Sequence, residues 1–454
     1  MKTTKYLALV AGAFLFGACS NNDALEGGNE NEGAAQQIVL QVTSGGDGLQ
    51  TRAGRPLYSS AALQSIDNVR VLIYKADETK TIVYDSQKSL DWNKSLEYTT
   101  GGHGRRLTIT LKGEDKIQAA GDYKIVAVGY STGSDYTFDQ NVAGAESLKN
   151  NAYSDITATL AAGKNAEEVF AGDADLKIDD KLNVENKATG ELGAAVTLRR
   201  QVAGGFGYFT NIPAHIDGVT AKTLRLVMRS KNTKLIFNDF NSNFTEFKQN
   251  LKYVVNGSVP AATETGVKFS DGGDAYVLYS IDLTKWFPKG DVDKNGFLGY
   301  EDYQADNTAW TRPENIHAGM LKGSVFASNF IIPFAYTDGK NTMELQLLAE
   351  DGHIIKVWNV TIPDANSNAD LGLTDKSASI FNVVRNHMYN LGIKNKQDVT
   401  PEPGNPDPNP NPNPDPDPTP TPDPDNQPED LSKGQNLVLK VNDNWETIHQ
   451  MGLE

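Results

Sequence analysis

Short runs of β-branched and aromatic residues, separated by turn-forming residues, constrain the fold of this 454-residue chain most strongly. Several of these runs alternate apolar and polar side chains, as half-buried antiparallel strands do. The runs are Val69–Tyr74, Leu107–Leu111, Tyr123–Val128, Leu224–Val227, Ala275–Tyr279, Met343–Leu348 and Ile354–Val360. Asp351-Gly352 indicates a hairpin turn, and one short helix is expected over residues 145–151. The pattern predicts an all-β chain of two β-sandwich domains that meet near residues 196–205.

The N-terminus has the layout of a secretory signal. Lys2 and Lys5 precede an uncharged apolar run, and small residues follow it up to Cys19, the only cysteine of the chain. Phe16-Gly-Ala-Cys19 is typical of a bacterial lipoprotein signal, whereas an ordinary signal peptide with an incidental cysteine is the alternative. We therefore expect a signal peptide over residues 1–18. Lipidation of Cys19, palmitate included, would attach the precursor to the outer membrane.

The composition changes abruptly after residue 396. Thirteen of the 20 prolines lie between Pro401 and Pro428, alternating with Asp and Asn. Such a segment cannot build a core and favours extended polyproline II. Residues 397–433 are therefore predicted to be a linker, and residues 434–454 a terminal strand with its surroundings.

Two segments far apart in the chain have nearly the same sequence. The first strand, residues 36–42, reads QQIVLQV, and the tail strand, residues 435–441, reads QNLVLKV. Large aliphatic side chains recur at every second position, which places them on one face of a strand. They are Ile38, Leu40 and Val42 in the first strand and Leu437, Leu439 and Val441 in the tail strand, which Trp445 follows. Both strands could fill one groove in one register, although chance similarity between two strands is the alternative.

A flexible polar loop follows the first strand and contains Arg52-Ala53, an accessible site for an Arg-specific protease. Cleavage there would release residues 19–52, the lipid tether and propeptide with the first strand. The body would then lose a strand and expose an apolar groove, which the tail strand of another molecule could fill. Exchange of this kind is head-to-tail, so it would extend a filament rather than close a dimer.

This layout resembles the fimbrillins of Bacteroidetes, the type V pilins that include major and minor fimbrial shaft subunits. The resemblance covers essentially the whole chain. It rests on five features: the lipobox ending at Cys19, Thr51-Arg52-Ala53, the Leu198–Ala203 and Arg385–Leu391 motifs, and the C-terminal strand with Trp445. The long proline-rich linker departs from the family pattern and leaves the reach and partner of the tail strand open.

The resemblance implies two transthyretin-like β-sandwich domains, over residues 53–198 and 199–396, with a C-terminal donor strand on the linker. It also implies export as a lipoprotein, Arg-specific maturation and polymerisation by donor-strand exchange into extracellular fimbriae that contribute to adhesion. The implied partners are other copies of the chain and the anchor and tip subunits of the fimbria. A fimbrial tip adhesin, and a lipid-anchored surface protein that binds glycans, are the alternatives.

One acidic stretch has the spacing of a calcium-binding loop. Oxygen ligands at positions 1, 3 and 5 are followed by glycine at position 6, a carbonyl at position 7 and a carboxylate at position 12. The corresponding residues are Asp291, Asp293, Asn295, Gly296, Phe297 and Asp302. The sequence predicts a structural calcium site, with a polar surface loop as the alternative. No other cofactor is expected.

Charge and motif content disfavour other functions. The chain carries 58 acidic against 42 basic residues, a net charge of −16, whereas nucleic-acid binding requires a cationic surface. Gly129-Tyr-Ser131-Thr-Gly133 matches the nucleophile-elbow pattern, but that motif needs a helix after the serine and the sequence there is typical of a loop. We therefore expect neither a nucleic-acid partner nor an enzyme.

Overall fold

The computed structural model is built almost entirely of β-strands. It describes residues 36–43, 68–86, 90–91, 96–98, 104–139, 142–144, 146–187, 190, 193–237, 256–313, 320–334, 343–361, 383, 385, 388–394, 426–433, 436–438 and 440–442. The predicted all-β fold is confirmed. No helix in the described part of the chain is long and apolar enough to cross a bilayer.

Thirteen strands precede residue 201 and form the N-terminal half. They are β1 (Gln36–Thr43), β2 (Asn68–Lys75), β3 (Ile82–Asp85), β4 (Leu90–Asp91), β5 (Leu96–Tyr98), β6 (Gly104–Leu111), β7 (Gly121–Tyr130), β8 (Tyr136–Phe138), β9 (Ile156–Leu160), β10 (Phe170–Ile178), β11 (Val184–Asn186), β12 (Ala194–Thr197) and β13 (Arg199–Arg200). A 3-10 turn, Gly113–Asp115, follows β6.

The C-terminal half contains the remaining strands and two short helices. The strands are β14 (Ala203–Thr210), β15 (Ile212–Pro213), β16 (His215–Ile216), β17 (Val219–Thr220), β18 (Thr223–Met228), β19 (Asn232–Phe237), β20 (Gly257–Pro260), β21 (Tyr276–Asp282), β22 (Phe297–Leu298), β23 (Val325–Ile331), β24 (Met343–Leu348), β25 (Ile354–Thr361), β26 (Met388–Leu391), β27 (Ile393–Lys394), β28 (Asn426–Gln427), β29 (Glu429–Asp430), β30 (Asn436–Val438) and β31 (Lys440–Asn442). The helices are α1 (Leu283–Trp286) and α2 (Tyr300–Ala305).

Two sheets pack face to face in the N-terminal half. One has the strand order β12-β1-β6-β5, and the other has the order β11-β10-β7-β2-β3, with β13 and β4 added at its sides. Inward-facing aliphatic side chains from both sheets form one buried core, in which β1 contributes Ile38 and Leu40.

The second of these sheets is covered on both faces, whereas the sequence pattern predicted half-buried strands. Val71 and Ile73 of β2 point into the core shared with β1, whereas Leu72 and Tyr74 point into the core shared with the C-terminal half. Since successive side chains of a strand alternate between faces, a strand buried on both sides reads as a continuous apolar run. The sheet is therefore the middle layer of the structure.

A buried ion pair organises the loop before β9. Both nitrogens of the Arg70 fork donate to the Asp85 carboxylate at 2.7 Å, and both side chains are almost fully buried. Arg70 also donates to the carbonyls of Val142, Gly144 and Glu146, and Asp85 accepts from the Leu148 amide. The expected helix over residues 145–151 is wrong: described residues 146–151 form no helix, because the Glu146 carbonyl and the Leu148 amide bind this ion pair and the Asn150 amide binds Ile82 of β3.

A sheet with strands from both halves joins them. Its order is β20-β19-β9-β8, and β9 of the N-terminal half pairs antiparallel with β19 of the C-terminal half. One continuous apolar core extends from the middle layer through this sheet into the C-terminal half. The halves are thus joined by a shared sheet and a shared core, a connection that the two-domain prediction did not include.

The C-terminal half is a sandwich of two five-stranded sheets. One contains β23-β14-β26-β31 with β29 beside β14, and the other has the order β21-β18-β24-β25-β30. The glycines of β14 let the sheets approach closely: a Cβ on Gly207 would clash with the Tyr279 hydroxyl oxygen. The predicted Asp351-Gly352 hairpin joins β24 and β25, with Gly352 at φ +84°.

Candidate functional site

Strand β1 occupies the middle of its sheet. All of residues 36–43 pair antiparallel with residues 104–111 of β6, and residues 38–41 pair parallel with residues 194–197 of β12. We call the space between β6 and β12 the β1 slot. Because both edges of β1 are hydrogen-bonded, its removal would leave two unpaired strand edges facing each other across the width of one strand.

The side chains of β1 separate into a buried and an exposed face. Ile38 and Leu40 have no solvent exposure, whereas Gln37 is exposed. Burial of an aliphatic side chain of this size stabilises a fold by roughly 1.5–3 kcal/mol. The side chain of Val42, the third aliphatic residue of the predicted face, lies outside the described part of the chain.

Gln36 is a buried polar residue of β1 that the apolar pattern of the strand does not reveal. Its Nε2 donates to the carbonyls of Ile117 and Leu182 at 2.9 and 2.8 Å, and its Oε1 accepts from the Ile117 amide at 2.9 Å. The side chain is 0% exposed. The only signal available in the sequence was that Gln435 of the tail strand repeats this glutamine.

The tail strand lies on the C-terminal half of its own chain. Residues 436–438 pair parallel with β25, and residues 440–442 pair antiparallel with β26. These two strands belong to different sheets, so the tail crosses from one sheet to the other along an edge of the sandwich. Leu437 is 2% exposed there. Leu439, Trp445 and the side chain of Val441 lie outside the described residues.

The last part of the predicted linker is folded. Within the range 397–433, β28 pairs with β27, β29 pairs with β14, and Leu431 is fully buried. The linker boundary at residue 433 is therefore wrong for residues 426–433. Leu431 supplies an apolar side chain that the Pro-Asp-Asn repeat lacks, so this segment can pack against the sandwich. Residues 395–425 lie outside the described part.

The residues predicted for export and processing, Cys19, Arg52 and Ala53, lie outside the described residues. Their roles stay predictions from the sequence.

The acidic loop brings the predicted carboxylates together. One oxygen from each of Asp291, Asp293 and Asp302 lies within 4.8 Å of the others. Gly296 has φ +91°, and its amide donates to Asp291 Oδ2 at 2.9 Å, which turns the loop back on itself. The Asn295 carboxamide oxygen accepts from the Phe297 amide at 2.7 Å, beside the two-strand pairing of β22 with β15 that anchors the loop.

The electrostatics of this loop are those of an anionic oxygen cluster. Desolvation raises the pKa of the Asp302 carboxyl, although the Val292 and Gly299 amides donate to it at 2.7 and 2.9 Å. Desolvation also raises the pKa of Asp293, and the neighbouring Asp291 and Asp302 carboxylates add to this shift. Asp291 Oδ1 is buried and accepts no hydrogen bond from the described part of the chain. Carboxylate oxygens at this spacing fit a calcium ion, which prefers oxygen ligands.

Two motifs that were far apart in the sequence meet where the halves join. Arg385 Nη1 donates to Gln201 Oε1 at 2.9 Å, and Asn256 Nδ2 donates to the same oxygen at 3.2 Å. Gln201 Nε2 donates to the Ala171 carbonyl of β10 at 3.4 Å. All three side chains are buried. Gln201 therefore links the backbone of the N-terminal half to side chains of the C-terminal half.

A surface groove of about 1020 Å³ runs along β21 and β23, beside the 163–167 loop. Four of its charged lining residues form two ion pairs: Lys231 with Glu264 and Lys164 with Asp135, each at 3.0 Å. Glycan binding, the alternative function, stays a prediction, and this groove is the candidate binding site for it.

Comparisons with known proteins give loose structural likenesses. No protein-family model matches the sequence, and no curated protein matches it. A candidate adhesin of Bacteroides thetaiotaomicron is 11% identical, with 80% of this chain and 93% of that chain covered and a TM-score of 0.35. The fimbrial anchor protein Mfa2 from Porphyromonas gingivalis is 9% identical, with 79% of this chain and 90% of that chain covered and a TM-score of 0.31. A candidate adhesin of Bacteroides ovatus is 12% identical, with 72% of this chain and 78% of that chain covered and a TM-score of 0.34. At these identities and TM-scores, the functions of those proteins do not transfer to this chain.

Proposed function

We propose that this chain is a structural subunit of an adhesive surface fibre of the fimbrial kind. The precursor is exported as a lipoprotein anchored in the outer membrane through Cys19. A protease cuts between Arg52 and Ala53, and β1 leaves with the lipid anchor. The tail strand of a second copy then fills the β1 slot. The partners are further copies of the chain and the subunits at the two ends of the fibre.

One observation carries this proposal: a terminal segment supplies the central strand of a sheet. β1 is bonded along both edges, yet the chain between it and β2 contains Arg52, the predicted cleavage site. A cut in this connection makes β1 a separate peptide held only by non-covalent contacts. A strand of matching sequence exists at the other end of the chain, so a neighbouring copy can replace what was lost.

The pairing patterns favour transfer of the tail strand to the slot. In its own chain, the described tail residues 436–438 pair only with β25, and residues 440–442 only with β26. In the slot, a strand pairs with β6 over eight residues and with β12 over four. Pairing along both edges, which β1 has in the slot, stabilises the transferred strand. Because the donor and acceptor surfaces differ, repeated transfer extends a fibre.

Polymer formation by the cleaved chain tests the proposal. The full chain is treated with an Arg-specific protease, and the products are separated on a native gel. The native chain should give a ladder, and Leu439→Asp or deletion of residues 434–454 should abolish it. Asn436→Asp introduces the same charge on the opposite face of the tail strand and should leave the ladder intact. A ladder that survives Leu439→Asp and the deletion would rule out assembly by this tail.

We infer a second, structural role for the acidic loop: binding of one calcium ion by Asp291, Asp293, Asn295, Phe297 and Asp302. The buried Asp291 oxygen that accepts no hydrogen bond supports this proposal. Calcium should raise the melting temperature of the chain, and a chelator should reverse the rise, with magnesium as the control ion. An identical melting temperature in calcium and in chelator would refute it.

A further inference from the structure

One end of the β1 slot is a polar socket enclosed in an apolar core. It consists of the amide and carbonyl of Ile117 and the carbonyl of Leu182, which all bond to the Gln36 carboxamide at 2.8–2.9 Å. We call these three backbone groups the glutamine socket. The bond to the Leu182 carbonyl is only partly buried, whereas Ile117 is 2% exposed and Gln36 is 0% exposed, so water does not satisfy the Ile117 groups. An occupant of the slot must satisfy them itself.

The chemistry of the socket selects a carboxamide. It presents two acceptors and one donor, and the glutamine side chain has two N–H donors and one oxygen acceptor in a single planar group. A leucine would leave all three backbone groups without partners, and a glutamate would direct negative charge at two carbonyl oxygens. The socket therefore discriminates between strands by a residue that lies outside the apolar pattern.

Two loops from different parts of the N-terminal half build the socket. Ile117 follows the 3-10 turn after β6, and Leu182 lies in the turn between β10 and β11 with φ +64°. The Leu182 amide donates to the Asp179 carbonyl at 2.9 Å, which fixes that turn. Since both loops are tied to the sheets, the socket marks a fixed position at one end of the slot.

An apolar face alone does not fix the register of the tail strand. Its aliphatic residues Leu437, Leu439 and Val441 recur every second position, so a slip by two residues keeps aliphatic side chains on the core side. Such a slip would place Leu437 or Lys433 at the socket in place of Gln435. The socket thus selects one of several registers that the hydrophobic pattern alone would allow.

We propose that the glutamine socket sets the register of the incoming strand and that Gln435 of a second copy fills it. This inference rests on the proposed strand exchange. The sequences support it directly, because Gln435 stands in the tail strand where Gln36 stands in the first strand. Subunits whose tail carries another residue at this position would be poor donors for this slot, so the socket also contributes to partner choice.

The first experiment places the tail sequence in the slot of the uncleaved full chain. Only three substitutions are needed: Gln37→Asn, Ile38→Leu and Gln41→Lys. This chain should melt close to the native one. Adding Gln36→Leu or Gln36→Glu should reduce its folding equilibrium constant by about 5- to 150-fold for each buried group left unsatisfied. An unchanged equilibrium constant after both Gln36 substitutions would overturn the socket.

The second experiment measures transfer between copies. Cleaved chains carrying Gln435→Leu should lose most of the ladder on native gels, and the equilibrium constant for strand transfer should fall at least about tenfold if one unsatisfied group weakens binding by about 1.4 kcal/mol. Asn436→Leu is the matched control, since Gln37, its counterpart in β1, is exposed; its ladder should equal the native one.

The outcomes of these experiments distinguish a failure of the glutamine socket from a failure of the proposed strand exchange. If deletion of residues 434–454 abolishes the ladder but Gln435→Leu does not, strand exchange stands and the socket inference is wrong. If the cleaved native chain forms no ladder, the proposed function fails, and with it Gln435 as the occupant. The three-substitution chain then still reports whether the tail sequence fits the slot.

Discussion

Truncation of Leu40 to alanine should destabilise the uncleaved chain strongly and the cleaved chain not at all. Leu40 has no solvent exposure and lies between its register partners Leu107 and Val196. Removing a buried leucine side chain costs about 2–5 kcal/mol, depending on how far the surroundings relax. For a cooperative unit of this size, 1 kcal/mol corresponds to roughly 2–4 °C in melting temperature. We therefore expect a drop of about 4–20 °C.

The assay compares melting temperatures by scanning calorimetry before and after Arg-specific cleavage and removal of the released strand. Gln37→Ala is the control, because this exposed neighbour should change stability by no more than about 0.5 kcal/mol. After β1 has left, Leu40→Ala and native chains have the same sequence and must melt together. Refutation would come from a Leu40→Ala effect as small as that of Gln37→Ala, since β1 would then not be seated in the core. A difference that persists after cleavage would show that β1 stays bound.

Three further predictions concern the body of the protein. Arg70→Met should cost about 3–5 kcal/mol in urea unfolding, because it leaves the buried Asp85 carboxylate without its guanidinium; a change below about 1 kcal/mol would contradict this. Asp293→Asn should raise the melting temperature in chelator, by relieving repulsion among the loop carboxylates, and lower it in calcium; equal signs in both conditions would contradict the calcium site. Hydrogen bonding from Lys289 lowers the pKa of Asp306 to about 2, so the charged form stabilises the fold. The destabilisation caused by Asp306→Asn should therefore be full at pH 7 and disappear as the pH falls toward 2; a pH-independent effect would argue against this ion pair.

Local patterns predicted the strands because strand formation depends on residues close in sequence. The run around Val71 and the turn at Asp351-Gly352 are examples: each carries its own β-propensity or turn chemistry. The expected helix near residue 148 was wrong for the opposite reason. Its backbone is bound by Arg70 and Asp85, which lie more than 60 residues away.

The strands and the acidic loop of the candidate sites could be predicted from the sequence, but the residues that surround them in the fold could not. The likeness of residues 36–42 to residues 435–441 is visible in one sequence, and so is the spacing of the acidic loop. The socket around Gln36 is not visible, because its partners Ile117 and Leu182 are 81 and 146 residues away. The pairing of the tail strand with its own C-terminal half could not be predicted either, because an amphipathic sequence does not indicate which sheet edge a strand joins.

Cross-linking between copies tests strand exchange and its register most directly. Val39 of β1 pairs with the exposed Thr108 of β6, and Val438 is the tail residue that corresponds to Val39. Paired residues on adjacent strands lie close enough for a disulfide. The cleaved chain begins at Ala53 and so lacks Cys19, which leaves the introduced cysteines as the only ones.

The measurement is a non-reducing gel of cleaved chains that carry Thr108→Cys and Val438→Cys. The proposed exchange predicts a ladder of disulfide-linked oligomers. It also predicts a much weaker ladder for the pair Thr110→Cys and Val438→Cys, which is displaced by two residues along β6. Equal ladders for the two pairs would contradict the register, and the absence of any intermolecular disulfide would contradict strand exchange itself.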